Sequence, residues 1–361
     1  MFTIAKAKPE RGIWFSEQPP LPAPGRGMVM VDVVMAGICG TDFHIFKWDA
    51  WSAGRIRTPM TIGHEFVGRI SAIGEDVEGF TIGERVSAEC HIACGACAHC
   101  RTGNAHICEK TEIIGVDRPG AFAEQVIIPA GNLWKVPDAI PDHHAAVFDP
   151  VGNAMHMVTT AGVTARDVLI VGGGPIGLFA AAIAKAHGAR SVSLQEPNQA
   201  RGAIAASLGL DLVVSPRDEN CKSSIVEICQ GRGPDVVLEV SGNGKALDTA
   251  LEIASPGAVV ALLGIPGGPV ELDLGVKVVM KGISLLGVTG RRMFETWYQV
   301  EAFMLKNPDL IDTVVTHILS AEDFETGFRL MEEGACGKVV LDFAGKKTKK
   351  IEKIEKAGKA S

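Results

Sequence analysis

The sequence predicts an α/β chain of two parts: a β-rich part, then a doubly wound parallel sheet. Three observations carry this. Gly-punctuated alternating stretches, such as MVMVDVVMAGICG from Met28 and FVGRISAIGEDVEGFTIGERVSAEC from Phe66, read as strands. A G-x-G-x-x-G pattern lies between a short apolar strand signal and an alanine-rich helix signal. Beyond it, strand and helix signals alternate to about Gly290.

Taken in order, the second part starts near Val151. Val168–Val171 reads as a strand and runs into GGGPIG, where Gly172, Gly174 and Gly177 satisfy the glycine pattern. LFAAAIAKAHG follows as a helix. Ser191–Glu196 reads as a strand ending in an acid. Then come Leu212–Val214, helix Ser223–Cys229, Val236–Glu239, helix Lys245–Ile253, Ala258–Leu263 and Ile283–Gly287. That makes about six parallel strands. No internal repeat and no long low-complexity linker interrupts the chain.

Composition narrows the function classes. Of 361 residues, 47% are hydrophobic and 21% charged, an ordinary globular balance that excludes wholesale disorder. The net charge is −7. The tail AGKKTKKIEKIEKAGKAS holds seven Lys and two Glu, so it is +5 and the remainder is −12. An acidic body argues against nucleic-acid binding, and the tail reads as a solvated, flexible extension. The start MFTIAKAKPERG has no signal-peptide pattern. The uncharged run Val168–Ala184 is broken by glycines and a proline, so no membrane span is expected. Nine cysteines without a secretory signal point to metal or thiol chemistry in a reducing, cytoplasmic setting.

Four cysteines, Cys94, Cys97, Cys100 and Cys108, are spaced C-x2-C-x2-C-x7-C. Short spacers let one loop wrap four thiolates around a tetrahedral ion, which describes a structural zinc site. An iron–sulfur run begins alike, but its fourth Cys comes three residues on and precedes Pro; here the gap is seven and Glu109 follows. Four thiolates leave no open position. Cys90, His91, His99 and His106 are surplus, and Cys221, Cys229 and Cys336 read as packing residues.

The glycine pattern predicts a dinucleotide cofactor. The glycines permit a tight turn and close approach to a pyrophosphate at a helix N-terminus. Glu196 lies 19 residues beyond Gly177, about where a carboxylate bonds the adenosine ribose hydroxyls. A carboxylate there repels a 2′-phosphate and favours NAD over NADP. Arg201 is the counter-signal, because an Arg nearby serves NADP.

A second polar set completes the pattern. Cys39, with Thr41 and His44 close behind, lies in AGICGTDFHIFKWDAWS; His64 and Glu65 are adjacent in PMTIGHEFVGRISAIG; Asp149 and His156 lie in FDPVGNAMH. One thiolate, one imidazole and two carboxylates form a mixed donor set suited to an open catalytic zinc.

With these residues in view, the chain resembles the zinc-dependent medium-chain alcohol dehydrogenases. The run Gly63–Val77 fits their zinc signature G-H-E-x2-G-x5-G-x2-V. Within them it is most similar to the L-threonine 3-dehydrogenase family, through GIW at Gly12, the segment from Ile38, HI-x-CG-x-C-x2-CR from His91, RPG-x-FAE from Arg118, FDP-x-GNA-x-H from Phe148, LGIP from Leu263 and MFETWY from Met293. The matching stretches cover nearly the whole chain up to Phe343.

The resemblance implies a GroES-like catalytic domain over 1–150, a Rossmann domain over 151–290, and a return to the catalytic domain over 291–343 before the tail 344–361. It implies that Cys39, His64 and Glu65 hold a catalytic zinc and the four clustered cysteines a structural one, two ions per chain. Thr41 and His44 match a proton relay, and Asp149 an acid near the metal that the relay needs. Gly172, Gly174, Ile176, Gly177, Glu196, Arg201, Leu263, Gly264, Ile265, Val288 and Thr289 match NAD-binding positions. The implied reaction is oxidation of L-threonine to L-2-amino-3-oxobutanoate by a homotetramer, with the product passed to a CoA ligase that releases glycine. A related secondary-alcohol or polyol dehydrogenase, of sorbitol or 2,3-butanediol type, is the alternative. The chain departs from the family at Cys90, where Gly is frequent, at Arg292, where an acid is common, and in the basic tail.

Overall fold

The computed structural model of the chain describes residues 1–345; the lysine-rich tail, from residue 346, lies outside the described residues. The chain forms two compact units. One comprises Met1–Cys97, Cys108–Asp149 and the chain from Val315; the other comprises Ala98–Ile107 and Pro150–Val314.

The first unit is built around β1 (Met28–Gly37). Val29, Val31 and Val33 are buried on one face of the strand; on the other, Asp32 is exposed while Met30 and Ala36 are buried. The expected strand run to Gly40 ends at Gly37, and α1 (Gly40–Lys47) begins. The switch has a local cause. Asp42, three residues into the turn, accepts a hydrogen bond from the Cys39 amide at 2.9 Å, half of a capping box. The left-handed Trp48 (φ 56°) ends α1, and α2 (Ala50–Arg55) starts after the capping residue Asp49.

Next comes β2 (Glu65–Ile73), antiparallel to β1. In the seven-stranded sheet β1 lies between β2 and the last strand, Lys338–Asp342. The register is decisive for the site: Gly37 pairs with Glu65 on one side and with Val340 on the other. The core joins this sheet to the N-terminal strands, with Ile4, Ile38, Phe66, Phe122 and Phe328 all at most 1% exposed. Each such side chain contributes about 1.5–3 kcal/mol by leaving water. Helix α3 (Phe148–Ala161) carries Asp149 in its first turn.

The second unit holds six parallel strands: β3 (Asp167–Val171), β4 (Ser191–Gln195), β5 (Leu212–Val214), β6 (Val236–Glu239), β7 (Val259–Leu262) and β8 (Ser284–Gly287), in the order β5-β4-β3-β6-β7-β8. This is the doubly wound order expected of a dinucleotide-binding sheet. β3 is buried along its whole length, as a central parallel strand must be. α4 (Pro175–Ala186) follows β3 with Gly174 as N-cap and Pro175 at its first position, where a missing N–H costs nothing. Only glycine fits at Gly177, because a Cβ there would lie 1.9 Å from the Gly172 carbonyl oxygen. The strands and helices expected from the sequence are present, with ends moved by up to three residues. Among the described residues no helix is long and apolar enough to cross a membrane.

Candidate active site and metal centres

The register at Gly37 makes room for a buried polar centre. A Cβ on Gly37 would stand 2.3 Å from Glu65 Oε2 and 3.1 Å from Lys338 Cε. Without one, Glu65 Oε2 lies 2.6 Å from Lys338 Nζ, and Lys338 also donates to the Ile38 carbonyl oxygen at 2.7 Å. Both side chains are at most 2% exposed.

Cys39, His64 and Glu65 bring their ligand atoms within 4.8 Å of one another. Cys39 is held as the N-cap of α1. Asp42, fully buried, accepts from the amides of Cys39 and Gly63, at 2.9 and 3.2 Å, and its Oδ1 lies 3.9 Å from His64 Nδ1. Burial pushes the Asp42 carboxyl up, against the pull of His64 and the two amides. Burial opposes charge on His64, but Cys39, Asp42 and Asp149 outweigh it and push the imidazole up to about 10. Burial likewise opposes charge on Lys338, but Glu65 and Cys39 hold it above the ordinary lysine range.

This centre therefore carries negative donors in excess, and a cation answers them. His64 Nδ1 and Glu65 Oε1 are buried without a hydrogen bond. Thiolate, imidazole and carboxylate are zinc donor types, and three protein ligands leave one position open. The residues fit a catalytic zinc. Asp149 is 4% exposed and acts electrostatically on both His64 and Glu65. His156 takes no part in the donor group; its Nδ1 meets the Gly290 carbonyl oxygen at 2.9 Å. Thr41 and His44 lie one turn apart on α1, Thr41 half-buried and His44 exposed.

The four clustered cysteines Cys94, Cys97, Cys100 and Cys108 also converge within 4.8 Å. Backbone amides reinforce the sulfurs: Cys94 and Lys110 donate to Cys108 Sγ, each at 3.3 Å, and Cys97 to Cys94 Sγ at 3.4 Å. This fits a closed, structural zinc site. Cys90 belongs to neither group; it is buried with its Sγ 3.7 Å from His91 Nδ1, which meets Glu89 Oε1 at 2.9 Å. Cys221, Cys229 and Cys336 are buried, and burial pushes the Cys229 thiol up to about 12, an inert packing state.

In the second unit a cavity of about 670 Å³ is lined by Gly172, Gly174, Glu196 and Arg201 among others. Glu196 is fixed there: Oε2 accepts from the Gly173 amide at 2.6 Å and Oε1 from the Asn198 amide at 2.8 Å. Ile176 and Gly177 form the first turn of α4. Leu263, Gly264 and Ile265 follow the carboxyl end of β7, and Val288 and Thr289 that of β8. They do not line the cavity, but they share its edge of the sheet, where open α/β folds bind ligands. Arg292 pairs with Glu295 at 3.7 Å on the surface.

Sequence reasoning missed Asp42, Asp49 and Lys338. Asp42 was visible as an acid three residues after a cap position. Asp49 follows the same logic, with Ser52 three residues on. Lys338 left no local signal, because only strand pairing brings it to Glu65.

A GroES-like unit with a mixed donor centre, a four-cysteine loop and a Rossmann unit define a zinc-binding dehydrogenase. Residues 25–138 match the family described as alcohol dehydrogenase GroES-like domain, and residues 175–307 the zinc-binding dehydrogenase family. The chain is 47% identical over 343 residues to an L-threonine 3-dehydrogenase of Anaeromyxobacter sp. (strain K), covering 95% of this chain and 99% of that protein. It is 43% identical over 343 residues to one of Escherichia coli K12, covering 95% and 100%. Among solved structures, a protein of E. coli CFT073 described as a short chain alcohol dehydrogenase (rspB), complexed with NADH, aligns with TM-score 0.86 and 29% identity, covering 95% and 99%. The 2R,3R-butanediol dehydrogenase of Bacillus subtilis aligns with TM-score 0.84 and 26% identity, covering 94% and 99%. The chain belongs to the L-threonine 3-dehydrogenase family of zinc-binding dehydrogenases.

Proposed function

We propose that the chain oxidises L-threonine at its C3 hydroxyl, giving L-2-amino-3-oxobutanoate, with NAD reduced to NADH and one proton released. The observation that carries this is the identity of 43–47% over 343 residues to L-threonine 3-dehydrogenases. The butanediol enzyme, at 26%, supports only the wider class.

Cys39, His64 and Glu65 would hold the catalytic ion, and Cys94, Cys97, Cys100 and Cys108 the structural one. Zinc, when bound, lowers the pKa of a coordinated hydroxyl by several units. Thr41 takes the substrate proton outward and His44, at the exposed end of the turn, passes it to solvent. Asp149, buried beside His64 and Glu65, is the acid near the metal that the relay needs. In the second unit the glycine turn and α4 receive the pyrophosphate, with Ile176, Leu263, Gly264, Ile265, Val288 and Thr289 along the cofactor's path. The anchored Glu196 carboxylate faces the ribose hydroxyls and repels a 2′-phosphate, so NAD is the cofactor despite Arg201.

The protein works in the cytoplasm as a homotetramer. Support for self-association comes from Val276, Val279 and Met280, 62–81% exposed, just ahead of the edge strand β8. The product is a β-keto acid prone to decarboxylation, which suits transfer to a CoA ligase that releases glycine. NADH formation measured with L-threonine, sorbitol and 2,3-butanediol tests the reading: threonine should give the highest kcat/KM. A polyol turned over faster than threonine would overturn it.

A further inference from the structure

α1 and α2 meet at a polar contact beyond the matched relay residues. His44 Nδ1 lies 2.5 Å from Asp49 Oδ2. The other oxygen of Asp49, Oδ1, accepts from the Ser52 amide at 3.0 Å and the Ser52 hydroxyl at 3.1 Å. The Ser52 hydroxyl also reaches the His44 carbonyl oxygen at 3.1 Å, and Ser52 is fully buried. Asp49 thus divides its work: one oxygen caps α2, the other meets the imidazole. Trp51 borders the same ring edge-on, with centroids 6.2 Å apart.

We propose that Asp49 is a positioning residue of the proton relay: it accepts the Nδ1–H of His44, fixes that tautomer, and leaves Nε2 as the nitrogen that takes up the proton. The inference rests on the relay reading of Thr41 and His44. The proton balance is simple. Nε2 gains a proton coming from the Thr41 side, the imidazolium forms beside an ionised carboxylate, and the proton leaves from Nε2 to water. Asp49 is never protonated. Burial pushes its carboxyl up, but the Ser52 amide, His44 and the Ser52 hydroxyl outweigh that and hold it below the ordinary aspartate value. From α2 the charged group facing His44 is Asp49; on α1 itself Lys47 lies over the Phe43 ring, 4.2 Å from its centroid.

Asp49→Asn separates positioning from capping. Asn caps a helix about as well as Asp, so Oδ1 keeps Ser52. Its Nδ2 donates toward the imidazole, so Nδ1 must accept, the ring proton moves to Nε2, and the acceptor is lost. The expected result is unchanged KM and zinc content with kcat lower by about 10²-fold, the low end of general acid–base contributions. 15N spectra of histidine-labelled protein should show the Nδ1–H form of His44 in the native enzyme and the Nε2–H form in the variant. A native ring protonated at Nε2 overturns the proposal, and this measurement needs no variant to fold. So does normal kcat in Asp49→Asn when His44→Ala is impaired. If His44→Ala itself turns over normally, the relay reading fails instead.

Discussion

The four-cysteine loop and the centre around Glu65 each gather their ligand atoms within 4.8 Å, but they are assembled by opposite routes. The loop draws all four sulfurs from fifteen consecutive residues, and three backbone amides at 3.3–3.4 Å support two of them, Cys94 and Cys108. The mixed centre draws on α1, the start of β2, α3 and the last strand, and its surroundings are charged side chains rather than amides. A closed thiolate cage satisfies its ion. Cys39, His64 and Glu65 offer only three donors, so an ion they would hold would keep a position for a further ligand.

The largest effect separating the two should come from Cys39→Ala. Turnover should fall to background and one of the two expected zinc ions should be lost, while the ion of the loop stays. Elemental analysis beside a turnover assay checks this; loss of both ions would show the centres to be interdependent. Lys338→Met comes next. In zinc-free protein it leaves Glu65 as an unpaired buried charge, which costs about 3–5 kcal/mol. Chemical denaturation should show the loss, and adding Glu65→Met should recover most of the stability and none of the activity. Asp42→Ala removes the acceptor that orients Cys39 and Gly63. Zinc affinity at the mixed centre should fall about 10–100-fold, read by competition with a chelator, with the loop site unmoved. The smallest effect belongs to the loop. Gly95 has φ +70° and open space where a Cβ would sit, so Gly95→Ala should cost only backbone strain, roughly 1–2 kcal/mol, seen as a lower Tm at unchanged zinc content.

The same contrast governs what could be read from the sequence. The cysteine loop and the glycine turn were legible because spacing along the chain is itself the geometry: short spacers bring the sulfurs together, and Gly177 is required by the Gly172 carbonyl five residues back in the same turn. The central strands β3 and β6 were legible because burial on both faces makes them nearly continuous apolar runs. The first unit was legible only as β-rich. Its decisive facts are pairings between distant segments, above all Gly37 with Glu65 and Val340, and alternation alone does not specify partners. The early end of β1 came from Asp42, whose side chain offers the Cys39 amide a bond the strand does not.

The placement of Lys338 also sets an order of events during synthesis. The cysteine loop is complete once Cys108 has left the ribosome, and it can take up its ion at that moment. The counter-charge of Glu65 is made only with the last strand, after the whole cofactor-binding unit. At about 5–20 residues per second, the 273 residues from Glu65 to Lys338 leave roughly 14–55 s in which Cys39, His64 and Glu65 exist without their lysine. A chain cut off before residue 338 would therefore carry a complete four-cysteine loop and a Cys39, His64 and Glu65 group whose acid has no lysine, a nascent intermediate that metal uptake could stabilise ahead of the final strand.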